Sequence, residues 1–235
     1  MKTGTLYLLP IPLGEDANHT LPEYLIQQFH RLDYFVAERA KTARRFLKEI
    51  NHPKPMSEIH IEELNKHSQA EDLPFLLKPA LEGHDLGLLS EAGCPGVADP
   101  GAQLIQLAHN RQIKVFPMVG PSSILLALMA SGMNGQQFCF NGYLPQKKPD
   151  LIRKLQLLEK QALKFKQTQL FIETPYRNGA MFEACLEALA PNTRLCIACD
   201  LTLPTQYVRT CDIADWKKQP TPELHKRPAV FLLGH

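Results

Sequence analysis

The segment Leu-Leu-Ser-Glu-Ala-Gly-Cys-Pro-Gly-Val-Ala-Asp-Pro-Gly, residues 88–101, constrains this chain more than any other. The apolar run at 86–89 stops at a cluster of small and turn residues, and an apolar pattern at helical spacing resumes over 102–110. A strand that ends in such a loop and opens into a helix is the building unit of α/β proteins, whose ligands gather at the carboxyl ends of the strands. Glycine in the loop permits close approach to the backbone, and Asp99-Pro100 announces a helix start. A second loop of the same kind, Val119-Gly120-Pro121-Ser122-Ser123, follows. The two together predict one ligand site.

Strand-like and helix-like runs alternate on both sides of these loops. Strands are expected at 5–9, 34–37, 86–90 and 114–118, and helices at 22–30, 41–49 and 102–110. That order predicts a mostly parallel sheet with helices on both faces. Residues 50–74 read as polar and irregular, with a helical patch near 61–67. The pattern then restarts, with helices at 122–131, 150–166 and 176–189 and strands at 138–142, 169–172, 194–199, 206–210 and 229–233. Closely spaced strands near the end predict a mixed, partly antiparallel sheet. The expected architecture is two α/β domains, residues 1–118 and 119–235.

A hydrophobic content of 44% supports a full core for each. A net charge of +2 neither requires nor excludes a nucleic-acid partner with a local basic patch. No run reaches the roughly 18 to 20 apolar residues that span a bilayer, so no membrane segment is expected. The first residues lead directly into a strand without the apolar region of a secretion signal. The expected location is therefore cytoplasmic, with the six cysteines as free thiols. Cys196 and Cys199 form a C-x-x-C pair in a buried-strand composition, which reads as small hydrophobes ahead of half a zinc site. His60, Glu63 and His67 match no strong metal-binding spacing, and no metal is expected.

There is no Gly-Lys-Ser or Gly-Lys-Thr phosphate loop, no G-x-G-x-x-G after the first strand and no nucleophile elbow. Pro10-Ile11-Pro12-Leu13-Gly14 stands after the first strand instead. Two prolines stiffen that turn and remove donors that a pyrophosphate would need.

Five pieces in order resemble the tetrapyrrole methylase family, the class III S-adenosylmethionine-dependent methyltransferases. They are Leu6-Tyr-Leu-Leu-Pro-Ile-Pro-Leu-Gly14, Ala37-Glu-Arg39, Leu89 to Gly101, Val119 to Ser123 and Phe140-Asn-Gly-Tyr-Leu-Pro145. Within that family they are most similar to the ribosomal RNA small-subunit methyltransferase I branch. Glu173-Thr-Pro-Tyr-Arg177 resembles that branch's Glu-Ser-Pro-His-Arg, and Asp200-Leu-Thr202 its Glu-Leu-Thr. The resemblance implies two α/β domains with S-adenosylmethionine in a cleft between them. It implies cofactor contacts at Pro10, Leu13, Glu91, Ala92, Gly93, Cys94, Ser122, Ser123, Thr174 and Pro175. Glu38 and Glu173 are the acidic candidates for a catalytic base. Small residues at 92 and 93 suit close approach, and Ser122 and Ser123 offer hydroxyls at a helix start. Glu91 also reads as a solvated carboxylate, and Glu38 with Arg39 as a surface ion pair.

The implied activity is methyl transfer to RNA, 2′-O-methylation of a ribosomal cytidine, by a cytoplasmic homodimer. The apolar helix at 124–129 and the terminal strand are the expected dimer surfaces. Glu38-Arg39-Ala40-Lys41 departs from the branch's Glu-Asp-Thr-Arg, and Leu203 to Gln206 departs from its Lys and Glu pair. Glu15-Asp16-Ala17 likewise replaces its Asn and Asp. These departures keep open a small-molecule acceptor such as a tetrapyrrole, and a cofactor-binding protein without catalysis. Lys41, Arg44, Arg45 and Lys48 lie at helical spacing, as in part do Lys147, Lys148, Arg153, Lys154, Lys160, Lys164 and Lys166. Such rows track RNA phosphates or form solvated helix faces.

Overall fold

The computed structural model describes residues 3–65, 68 and 71–235. The chain divides into two compact units, Met1–Ser122 and Ser123–His235. In the first, β1 (Thr5–Leu8), β2 (Tyr34–Ala37), β3 (His60–Glu63), β4 (Leu86–Leu89) and β5 (Lys114–Pro117) form one sheet ordered β3-β2-β4-β1-β5. Every pairing in it is parallel. The helices are α1 (Glu23–Arg31), α2 (Ala40–Glu49), α3 (Leu73–Leu76), α4 (Lys78–Leu81) and α5 (Gly101–Asn110). A parallel sheet covered on both faces needs strands apolar on both sides, and β4 is buried at all four positions. Gly87 sits there because a Cβ would lie 2.6 Å from Leu9 Cδ1 and 2.8 Å from Phe35 Cδ1.

Two apolar layers hold this unit. Leu25 and Phe29 of α1 and Phe46 and Leu47 of α2 pack with Leu9 and Phe35 on one side. Leu73 of α3, Ala80 of α4 and Leu104 and Ala108 of α5 pack with Leu6, Val36 and Leu88 on the other. Two histidines join the ends of α1 and α2. His30 Nε2 lies 2.8 Å from the Ile50 carbonyl, and His52 Nε2 lies 3.1 and 3.2 Å from the Phe29 and Leu32 carbonyls. The Ile50 and Leu32 carbonyls lie just past the ends of their helices, and the Phe29 carbonyl, in the last turn of α1, also accepts the Leu32 N–H at 3.2 Å.

The helical patch expected near 61–67 is a strand at its start. His60–Glu63 pairs with Tyr34–Ala37 as the sheet edge. Charged residues suit an edge strand, and the single isoleucine gave no period by which to tell helix from strand. His67 lies outside the described residues. His60 stacks on Tyr34 with centroids 4.9 Å apart, and Glu63 Oε1 accepts the Ala40 N–H at 2.8 Å at the start of α2.

In the second unit, β6 (Phe138–Tyr143), β7 (Thr168–Ile172), β8 (Arg194–Cys199), β9 (Tyr207–Asp212) and β10 (Ala229–Gly234) take the order β6-β7-β10-β8-β9. β6 and β7 are parallel and the rest antiparallel. α7 (Lys148–Phe165) and α8 (Asn178–Ala188) cover one face with α9 (Ile213–Trp216), around Phe171, Phe182, Trp216 and Phe231. The buried Trp216 donates its indole N–H to the Leu195 carbonyl at 2.9 Å. α6 (Ser123–Ser131) packs against β8, β9 and β10.

One expectation is overturned here. The terminal strand β10 is no free surface: β7 and β8 flank it and all six residues are buried. It has no unpaired edge with which to join a second copy. Cys196 and Cys199 stand three apart on β8, so their thiols project from opposite faces. Burial pushes both thiols up, Cys199 to about 11.

Candidate active site

The first unit gathers its chemistry at the carboxyl edge of the parallel sheet. β1 runs into Leu9-Pro10, β2 into Glu38, β4 into Ser90 and β5 into Met118. The turn after β1 and the loop after β4 are sewn together by a two-residue bridge. Ile11 N–H donates to the Gly93 carbonyl at 3.0 Å, and Gly93 N–H donates to the Ile11 carbonyl at 3.1 Å. Ser90 Oγ, buried, donates to the Gly93 carbonyl at 3.0 Å. The third loop joins them through Cys94 Sγ, 3.4 Å from the Pro121 carbonyl.

Glycine is required twice in this junction. Gly93 has φ +72°, and a Cβ there would sit 3.1 Å from Leu13 Cδ2 and 3.3 Å from the Pro121 carbonyl. At Gly120 a Cβ would sit 2.3 Å from Pro10 Cβ. Pro10, Leu13, Gly93, Cys94 and the 119–122 loop thus meet in one place. The main-chain groups of Gly93 are spent on Ile11, so the glycine serves loop closure. Ala92 is exposed, Glu91 and Cys94 half-buried.

Three carboxylates share this edge. Glu38, half-buried, is held above the usual carboxylate range by burial and then by the charges of Glu91 and Asp99, with Arg39 opposing. Asp99 is raised by burial, although its Oδ1 accepts the Gly96 and Gly101 N–H groups at 2.8 Å each. Burial also raises the Cys94 thiol. Arg39 pairs with Glu91, its Nε 3.9 Å from Oε2, and Thr42 Oγ1 donates to the same oxygen at 3.4 Å. Glu91 and Leu13 line an open recess with Ile11, Asn18, Thr42 and Phe46. Asp99 was not foreseen as part of this group; its sequence signal, Asp-Pro before a helix, pointed to folding alone.

In the second unit a polar knot closes the β7 and β8 ends of the sheet. Glu173, buried, accepts the Thr174 N–H at 2.7 Å on Oε1, and its Oε2 lies 3.3 Å from Arg177 Nη2. Thr174 is exposed and Pro175 half-buried. Asp200 Oδ2 accepts from Arg227 Nε at 2.7 Å and Thr205 Oγ1 at 2.8 Å. Asn178, fully buried, donates from Nδ2 to the Arg227 carbonyl at 2.6 Å. Among the described residues Glu173 Oε2, Asn178 Oδ1 and Thr202 Oγ1 are buried without a hydrogen-bond partner. Thr202 is also β-branched at φ +74°, a conformation such residues rarely hold. Arg227 and Asn178 carried no sequence signal, because their partners lie 27 and 49 residues away. Glu38 and Glu173 belong to different units, as do Ser122 and Ser123 at the division itself.

The sequence profile of the Tetrapyrrole (Corrin/Porphyrin) Methylases matches residues 15–216. The chain belongs to this family. Similar proteins include the Ribosomal RNA small subunit methyltransferase I of Buchnera aphidicola subsp. Schizaphis graminum, 27% identical over 99% of this chain and 79% of that protein. The Vibrio cholerae protein of the same name is 27% identical over 98% and 76%. That of Mesorhizobium japonicum is 31% identical over 87% and 66%. Among solved structures, the methyltransferase CobJ shares the fold with a TM-score of 0.66 at 17% identity, covering 99% of this chain and 95% of that one. A uroporphyrin-III-C-methyltransferase from Thermus thermophilus gives 0.57 at 18% identity, covering 100% and 93%. The methylase fold is therefore that of these enzymes, and the chain is a methyltransferase.

Proposed function

We propose that this methylase transfers the methyl group of S-adenosylmethionine to RNA, with a ribosomal cytidine 2′-hydroxyl as acceptor. The observation that carries the reading is end-to-end similarity to relatives named for ribosomal RNA, spanning 98 to 99% of the chain in two of them. The donor is a cationic sulfonium bearing an amino acid and an adenosine, and it supplies an activated methyl group when bound. The residues of the first unit fit it. Burial and mutual repulsion raise Glu38 beside Glu91 and Asp99, so a cation at this edge relieves what the chain leaves uncompensated. Pro10, Leu13, Ala92, Gly93 and Cys94 form the wall of the proposed donor site. Ser122, at the end of the same unit, offers a hydroxyl.

Methyl transfer asks chiefly for alignment, which contributes about 7–11 kcal/mol where reactants are held in attacking geometry. A hydroxyl acceptor also needs its proton removed. Glu38, with its raised affinity for a proton, is better suited to that task than Glu173, which is tied to Arg177 and Thr174. The protein acts in the cytoplasm, where small ribosomal subunits are found. It acts as a homodimer through the outer face of α6, where Leu125 and Met129 are 52% and 78% exposed.

The test is transfer of labelled methyl from S-adenosylmethionine to small ribosomal subunits from cells lacking this protein. Label recovered as a 2′-O-methylated cytidine is expected. A second reading, a tetrapyrrole acceptor, draws on the name of the family, on that of the uroporphyrin-III-C-methyltransferase and on Arg39 and Ala40 at the substrate-side departure. Label entering a macrocycle and never RNA selects it.

A further inference from the structure

Tyr176 is 71% exposed at the tip of the turn that follows β7, yet it is held on several sides. Lys226 Nζ stands 5.9 Å from its ring centroid, and the His225 ring meets it edge-on at 6.0 Å. Two loops far apart in sequence are stitched to make this pair. Lys226 N–H donates to the Pro175 carbonyl at 3.0 Å, and Asn178 Nδ2 donates to the Arg227 carbonyl. Arg227 in turn is anchored on Asp200, Thr205 and Glu223. Lys226 itself takes φ +60°, which a lysine adopts only where its surroundings dictate it. The structure therefore presents an apolar ring to solvent on a rigid base, with a cation beside it.

The surroundings extend the pattern. Tyr143, 61% exposed, is the register partner of Ile172 at the same end of the sheet. Arg177 Nη2 donates to the Gln146 carbonyl, which brings the segment of the exposed Lys147 to this edge. The nearby acids are engaged: Glu173 with Arg177, Asp200 with Arg227, and Glu223 Oε1 with the His225 N–H. Exposed aromatics flanked by unspent cations are how proteins hold unpaired nucleotides, the base stacking on the ring and the phosphate meeting the cation.

We infer that Tyr176 is a stacking platform for an unpaired base of the RNA acceptor, with Lys226 as its phosphate partner. The inference rests on the RNA reading above and adds the element that holds the strand. The unsubstituted full chain and its variants are titrated into a labelled single-stranded RNA of about a dozen nucleotides. Tyr176→Leu weakens binding roughly five- to hundredfold, while Tyr176→Trp preserves it. Lys226→Ala lowers the slope of log affinity against log salt by about one. Donor binding by calorimetry and the melting curve of Tyr176→Leu stay as in the unsubstituted chain.

Equal RNA affinity of Tyr176→Leu and the unsubstituted chain overturns the platform and leaves the RNA reading standing. Loss of donor binding in Tyr176→Leu also overturns it, assigning the ring to the donor's adenine. An unsubstituted chain that binds the donor but no RNA brings down both. Should the leucine variant fail to fold, ultraviolet cross-linking of the unsubstituted protein to the same RNA decides. An adduct on the peptide holding Tyr176 supports the platform, and adducts elsewhere alone refute it.

Discussion

Glu38, the proposed base, is the residue on which the proposed chemistry and the stability of the first unit meet. Its folded affinity for protons is raised, first by burial, then by Glu91 and Asp99, against the pull of Arg39. A carboxyl raised on folding stabilises the native state fully below its unfolded value, and that contribution falls as pH rises through the folded value. Asp99 acts in the same direction. Replacing Glu38 by Gln removes one part of this loss. The variant should gain in melting temperature relative to the parent on going from about pH 4 to about pH 7, measured by calorimetric scans at both. The same variant should transfer methyl groups at least tenfold more slowly, since positioned bases contribute about 10²–10⁴-fold. An unchanged transfer rate removes Glu38 from the proton path.

Between the elements, glycine and proline decide how the three loops of the first unit close. Gly120→Ala would bring a Cβ to 2.3 Å from Pro10 Cβ, and neither backbone has a flexible end to yield. A loss of about 1–3 kcal/mol is expected, read as a lowered denaturant midpoint. Gly132→Ala, where a Cβ meets nothing within 4 Å, isolates the cost of its positive φ alone. These loops were legible because turn chemistry is local: Gly-Cys-Pro-Gly and Val-Gly-Pro-Ser each announce themselves within five residues. The strand β3 was not, since an edge strand of His, Glu and one Ile carries no period and gains its order from pairing with β2. The short helices α3, α4 and α9 are each four residues long, under the length at which periodicity speaks. The central place of β10 was invisible for the opposite reason. A uniformly apolar run shows that a strand is buried, never which neighbours bury it.

Taken whole, the chain is a methylase with two α/β units, each with its own core. The basic rows foreseen in sequence are divided by their partners. Arg45 is engaged by Glu15 and Glu49, Lys148 by Glu187 and Arg153 by Asp150. Lys41, Arg44 and Lys48 on α2 are exposed and carry no ion pair among the described residues, so they are the better candidates for phosphates. The homodimer predicted through α6 has a direct check. Leu125→Asp combined with Met129→Asp should halve the mass seen by solution scattering, and a monomeric parent refutes the dimer. No helix among the described residues is long and apolar enough to cross a membrane. The central claim is that a sulfonium donor is held at the carboxylate-lined edge where Pro10, Gly93 and Ser122 converge. Calorimetric titration of S-adenosylmethionine into the full chain, repeated with Ser122→Ala, measures it most directly. Saturable heat from one site per chain, with affinity reduced in the variant, is the predicted result. No heat with the unsubstituted chain, or an affinity indifferent to Ser122, contradicts it.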